Sequence, residues 1–299
     1  MGLLIEDVAV IRGGWRNRHS ALRLAVSAAE TCLHRAGRHP DDVDLLINTG
    51  IYRDHNLAEP ALAALIQHDV GANPEDPHES GHGTFSFDVA NGSCGALTAL
   101  QIVDGFLRSQ TIDCALVVTS DADPGRRCSD HFPFSPVGAA LLCHWRDNQS
   151  GLGRVHWANG PDDGDTLRAT VGLEDSRNVL RITTSDHIDE RFAAAGADVA
   201  RRCLREASLE PSDVDVVVAA PARAAFRATL ASLLRLPPDR IVVADDDRMH
   251  TAALFAAFRD AGARLPADGR VLLVAAGAGV TAGAALYRMS DDRSQEPAN

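Results

Sequence analysis

No two cysteines stand close together in this sequence. The six lie at positions 32, 94, 114, 128, 143 and 203, with no C-x-x-C spacing among them. That argues against a disulfide framework or a zinc site and for a reducing cytoplasm. Positive charge is scarce: 29 Lys and Arg face 41 Asp and Glu, a formal net charge of −12. Neither nucleic acid nor an anionic membrane is therefore expected as a general partner, and an anionic ligand must find a local basic patch. Long hydrophobic runs are missing too. "VLLVAAGAGVTAGAALY" is 17 residues broken by three glycines, too short and too glycine-rich to span a bilayer. The N-terminus carries Glu6 and Asp7 where a secretory signal would be basic, and lacks the Ser or Thr of a myristoylation signal. "AAGAGVTAG" has neither the G-x-G-x-x-G spacing nor the acidic follow-up of a dinucleotide site, so no permanently bound cofactor is expected.

What the chain has instead is a pattern that returns. With 45% hydrophobic residues over 299 positions, it can bury one large core or two closely packed domains. "CLHRAGRHPDDVDLLINTG" from Cys32 reappears as "CLREASLEPSDVDVVVAAP" from Cys203, 171 positions later. Cys32/Cys203, Leu33/Leu204, Ala36/Ala207, Pro40/Pro211, Asp42/Asp213, Val43/Val214 and Asp44/Asp215 coincide. A weaker match at an offset of 156 sets "CGALTALQIVDGFLRSQTIDCALVV" from Cys94 against "HTAALFAAFRDAGARLPADGRVLLV" from His250. Two matches in the same order point to duplication. "VDLLINTG", "DCALVVTSD", "VDVVVAAP" and "RVLLVAAG" are continuous apolar runs, as in sheets covered by helices on both faces. The expected fold is layered α/β, with two similar halves about a pseudo-twofold axis. The halves are placed at residues 1–150 and 151–289, divided where turn residues cluster, with a frayed polar tail over 290–299.

Within that frame, "FSFDVANGSCGALTAL" puts one thiol where a strand gives way to a helix. A helix N-terminus favours the thiolate, and Gly92 and Gly95 leave room for a substrate at the sulfur of Cys94. Cys32, Cys114, Cys143 and Cys203 sit in apolar patterns and read as structural. At the 156 offset Cys94 corresponds to His250, so the axis would bring a nucleophile and an imidazole to one site. "GSCGA" also nearly fits the nucleophile elbow of an α/β-hydrolase, with Asp186 or Asp245 and His250 completing the order. Duplicated halves argue against that single-sheet fold. The glycine turn after "RVLLV" can offer backbone N–H groups to an oxyanion, or simply join two strands.

Taken together, these segments resemble the thiolase-fold condensing enzymes, specifically the ketoacyl-acyl carrier protein synthase III group, from about Ala21 to Arg288. "FDVANGSCGALTALQIVDGFL" resembles that family's active-site cysteine segment, "GAGVTAGAALYR" its C-terminal glycine loop, and "FSPVGAALL" its Gly-Ala strand. "LLINTGIYRDHNLAEPALAALIQHDVGAN" is most similar to the head-to-head condensing enzymes of olefin biosynthesis. The resemblance implies a five-layered αβαβα fold, a homodimer and an acyl-Cys94 intermediate. The donor would be a CoA or acyl carrier protein thioester. The Cys94 N–H with Gly277, Ala278 and Gly279 would form the oxyanion hole, and Glu59 would serve the partner subunit's site as a base. Two departures stand out. The family's His-Gln-Ala-Asn motif falls with its histidine on Ala220 and its asparagine on Arg223, and its other site asparagine falls near His250. Arg223 and Arg227 are candidates for docking the donor's phosphopantetheine arm, with Arg126 and Arg127 as a second pair. The function implied is acyl transfer through Cys94 with His250 as general base or hydrogen-bond donor, and condensation ranks first. The alternatives are ester or amide formation, a non-catalytic partner subunit, and a cysteine thioester hydrolase.

Overall fold

Apolar strands and amphipathic helices alternate along the chain, and the computed structural model assembles them into two large sheets with helices outside and between. It describes residues 2–15, 17–73, 83–146, 150–161, 167–185, 187–262 and 265–290. Asp186 and the polar tail beyond Ser290 lie outside the described residues. The first half contributes β1 (Gly2–Arg12), α1 (Ala21–Ala36), β2 (Leu45–Asn48), α2 (Leu62–Val70), β3 (Phe85–Asp88), α3 (Gly95–Arg108), β4 (Cys114–Asp121) and β5 (Val137–Arg146). Next come β6 (Gly151–Leu152), β7 (His156–Asn159) and the hairpin β8 (Leu167–Glu174) and β9 (Arg177–Thr184). The chain ends with α4 (Ile188–Glu206), β10 (Val216–Ala220), α5 (Ala224–Leu234), β11 (Ile241–Val242), α6 (Ala253–Gly262), β12 (Arg270–Gly277) and β13 (Thr281–Arg288).

The two sheets repeat one topology. The first runs β1-β5-β4-β2-β3 and the second β6-β13-β12-β10-β11, with β7 also paired to β13. In each, the strands after the first and second helices are parallel to the central strand, and the last long strand returns antiparallel. Helices α1 and α2 cover the outer face of the first sheet, packing Leu24, Ala28 and Ile66 against Leu46, Leu116 and Leu142. On the second sheet α4 and α5 do the same with Phe192, Val199 and Phe226 against Val217, Leu272 and Val274. Between the sheets, α3 and α6 bury Leu97, Leu100 and Phe255 among Leu45, Val117, Val218 and Leu273. The result is the expected αβαβα stack. No described helix is long and apolar enough to cross a membrane.

Several coinciding residues of the repeat have the same physical job in both halves. Pro40 and Pro211 open short 3-10 turns, where proline's missing N–H costs nothing. Asp42 accepts from the His39 N–H at 2.9 Å and Asp213 from the Glu210 N–H at 2.8 Å, satisfying donors the turn would leave free. Asp44 accepts from the Asp113 and Cys114 N–H groups, and Asp215 from the Arg270 N–H, tying the start of one strand to the start of its parallel neighbour. Cys32 and Cys203 are both buried. α1 itself begins at Ser20, whose hydroxyl accepts from the Arg23 N–H. It stops at Gly37, whose φ of 66° favours a residue without a Cβ.

Candidate active site

β3 ends at Asp88, and a turn over Gly92–Cys94 delivers the chain into α3. Gly92 has φ +47°, and a Cβ there would lie 3.3 Å from His250 Nε2. The turn therefore needs glycine both for its backbone and for the imidazole beside it. Cys94 is the N-cap of α3, its carbonyl accepting from Thr98 Oγ1 at 3.1 Å. The sulfur is fully buried and donates to the Thr281 carbonyl oxygen at 3.5 Å. Burial pushes the thiol up to about 12. The thiolate favoured by the helix N-terminus is thus opposed by a larger effect. With no solvent at the sulfur and a carbonyl oxygen facing it, the resting group is a thiol.

The glycine loop lies on the other side of the sulfur. A Cβ on Gly277 would sit 3.5 Å from Cys94 Sγ, 3.7 Å from the Ser93 N and 3.8 Å from the Cys94 N. After Gly277 the backbone turns through Ala278 and through Gly279, at φ 73°, before β13. The Cys94 N–H, named above as an oxyanion donor, donates to the Asn91 carbonyl at 2.9 Å in this conformation.

His250 arrives from the second half. Its carbonyl accepts from the Ala253 N–H, so it sits at the mouth of α6 as Cys94 sits at the mouth of α3. Asp121, fully buried at the end of β4, holds this turn. Its carboxylate accepts from the His250 N–H at 3.0 Å, the Thr251 N–H at 3.0 Å and Thr251 Oγ1 at 2.7 Å. A carboxylate at a helix N-terminus is favoured by the dipole and by the free N–H groups there. His250 Nδ1 lies 2.9 Å from Tyr52 Oη, and the imidazole stacks on Phe134 at 4.4 Å and 14°. Burial holds His250 below its ordinary value; Asp121 opposes that and Arg223 adds to it. Burial thus favours the neutral imidazole, and among the described residues no hydrogen bond joins it to the sulfur.

Other expected residues fall elsewhere. Glu59 is exposed, in the loop before α2, and its carboxylate carries no hydrogen bond among the described residues. Arg223 Nε donates to Asp189 Oδ1 at 2.5 Å, while Arg227 donates to the Pro238 carbonyl at 3.1 and 2.7 Å. Both docking candidates are thus engaged within the fold. Arg126 and Arg127 instead join His55 and Arg177 around an open cavity of about 590 Å³. Ala220, on the site face of β10, is buried in the same apolar cluster as Cys94, so a methyl occupies that position. Sequence reasoning missed Tyr52, Phe134 and Asp121. Asp121 had a usable signal: at the 156 offset it is the counterpart of Gly277.

Residues 204–289 match the family model for the C-terminal part of 3-oxoacyl-(acyl-carrier-protein) synthase III. Over 312 aligned residues the chain is 30% identical to beta-ketoacyl-(acyl-carrier-protein) synthase III of Sphingopyxis alaskensis, covering 95% of this chain and 90% of that one. Its fold is similar to that of the 3-oxoacyl-(acyl carrier protein) synthase III of Pseudomonas aeruginosa, at a TM-score of 0.80 and 19% identity over 97% of this chain and 99% of the other. It is similar also to OleA of Xanthomonas campestris, at a TM-score of 0.78 and 15% identity over 96% and 98%.

Proposed function

The chain belongs to the beta-ketoacyl-(acyl-carrier-protein) synthase III family, and from that premise we propose that Cys94 is its acyl-accepting nucleophile, in a condensing acyltransferase. The observation that carries this is the meeting of Cys94, His250 and Gly277, from three segments of two halves, around one buried turn. In the first step the sulfur attacks the carbonyl of a CoA or acyl carrier protein thioester. The new Sγ–C bond forms, the donor C–S bond breaks, and the thiol proton leaves on the released thiol. Gly277 keeps the space beside the sulfur open for the tetrahedral oxyanion, with N–H groups of the 277–279 loop as donors. In the second step an acceptor carbanion takes the acyl group and Cys94 leaves as thiolate. Neither step calls for a permanently bound cofactor.

The donor's anionic end fits the cavity walled by Arg126, Arg127 and Arg177, whose side chains have no carboxylate partner among the described residues. We place this chemistry in a homodimer. Among the described residues β3 is an edge strand, with Phe85 60% exposed beside Phe87, and such an edge invites a second strand. Glu59, exposed on its own chain, would then act as base in the partner's site. Six unpaired cysteines fit a reducing cytoplasm.

One observation favours a second reading. Ala220 removes a donor for the enolate that a decarboxylating malonyl thioester leaves, which favours an alcohol or amine acceptor over carbon–carbon bond formation. Supplying the acylated protein with a malonyl thioester separates the two. Release of carbon dioxide with a 3-oxoacyl product is expected there without help from Glu59, whereas condensation with a second acyl thioester, whose α-proton must be removed, should slow about a hundredfold in Glu59→Gln. Acyl transfer only to alcohols or amines would replace condensation by the second reading.

A further inference from the structure

The Tyr52 hydroxyl is buried and has one hydrogen-bond partner among the described residues, His250 Nδ1 at 2.9 Å. If the phenol did not donate there, its proton would be buried without an acceptor, which folded proteins avoid. A phenol is also the better donor of the two groups, and a bare imidazole nitrogen the better acceptor. We propose that Tyr52 is a positioning residue that donates to His250 Nδ1 and so holds the neutral imidazole in the tautomer with its proton on Nε2, aimed at the turn that carries Cys94.

The surroundings leave the ring little freedom. Phe134 stacks on it at 4.4 Å, and Tyr52 packs edge-on against Phe132 at 4.9 Å and tilted against Phe134 at 5.5 Å. Asp121 fixes the main chain of His250 by accepting from its N–H at 3.0 Å. The Nε2 edge then lies against Gly92, where a Cβ would approach to 3.3 Å. Burial keeps Tyr52 above and His250 below their ordinary values, so both remain neutral and the hydrogen bond has one direction.

The consequence is a division of labour. With its proton on Nε2, His250 presents a fixed N–H to charge developing near Cys94 and has no lone pair there to act as a base. It supplies what an amide side chain would, and where the acceptor must first lose a proton the base has to be another group. The reaction part of this rests on the acyl-transfer reading; the tautomer does not.

Nitrogen-15 labelling of the 12 histidines, with His250→Gln used for assignment, reads the tautomer directly. Two-bond proton–nitrogen correlations near neutral pH should show a bare Nδ1 and a protonated Nε2 at His250, and Tyr52→Phe should convert this to a mixture. A protonated Nδ1 in the wild type, or an unchanged pattern in Tyr52→Phe, overturns the proposal. In turnover, Tyr52→Phe should lower kcat about tenfold while the thioester KM stays within about twofold. In a His250→Gln background, where an amide N–H needs no tautomer, it should cost nothing more. An equal loss in both backgrounds would show that Tyr52 acts through something other than His250. If Cys94 proves never to be acylated, the spectra still decide the tautomer, and only the kinetic arm falls with the acyl-transfer reading.

Discussion

At Cys94 two effects pull the thiol in opposite directions. A helix N-terminus is worth roughly 0.3–1 kcal/mol to a negative charge near it. Taking that charge out of water costs several kcal/mol. The sulfur has no exposed surface, so burial wins and the thiol sits at about 12. Its reaction with iodoacetamide should therefore climb about tenfold per pH unit through the alkaline range, following the thiolate fraction. A plateau reached below neutral pH would mean that an imidazolium or the helix end controls the group after all. Cys94 and Gly277 were legible because a thiol at a strand-to-helix turn and a glycine run after a buried strand are local patterns. Burial at the sulfur was not, since it comes from Thr281 and Gly277, which are nearly two hundred positions away. Tyr52 left no mark either: one tyrosine in a loop has no periodicity to betray its partner.

Among elements, the two halves serve each other crosswise. β4 of the first sheet ends in Asp121, which binds the turn opening α6 of the second half. β12 of the second sheet ends in Gly277, beside the turn opening α3 of the first. Asp121 and Gly277 occupy the same place in the repeat, as do His250 and Cys94, so one position carries a carboxylate that builds a turn and the other a glycine that leaves space beside the sulfur. Asp121→Ala would leave two backbone N–H groups and the Thr251 hydroxyl without an acceptor, at about 1–3 kcal/mol each. Urea denaturation should show a loss of about 4 kcal/mol, with Asp121→Asn recovering part of it through its remaining oxygen. A change within about 0.5 kcal/mol would mean that this carboxylate does not hold the turn. The helix and strand runs on both sides of this crossing were readable from their spacing. The capping was not, because an aspartate ending an apolar run reads equally well as a solvent-facing stop.

Across the whole molecule, the layer between the sheets belongs to both halves. α3 and α6 share one apolar cluster with β4, β5, β10 and β12, and Cys94 lies in it. Duplication in the sequence therefore foretold that two equivalent helix starts meet where the halves face each other, but not that the imidazole of one would pair with Tyr52 and the thiol of the other with the Thr281 carbonyl. The cavity at Arg126, Arg127 and Arg177 could not be foretold in the same way, because Arg177 belongs to the β8–β9 hairpin, which has no counterpart in the repeat. That Cys94 carries the acyl group is tested most directly by intact-mass analysis after incubation with a set of acyl-CoA thioesters. The wild type should gain one acyl mass, mapped to the peptide holding Cys94, and folded Cys94→Ala should gain none. An acyl adduct that persists in Cys94→Ala, or a wild type that takes up no acyl group from any chain length, would contradict it.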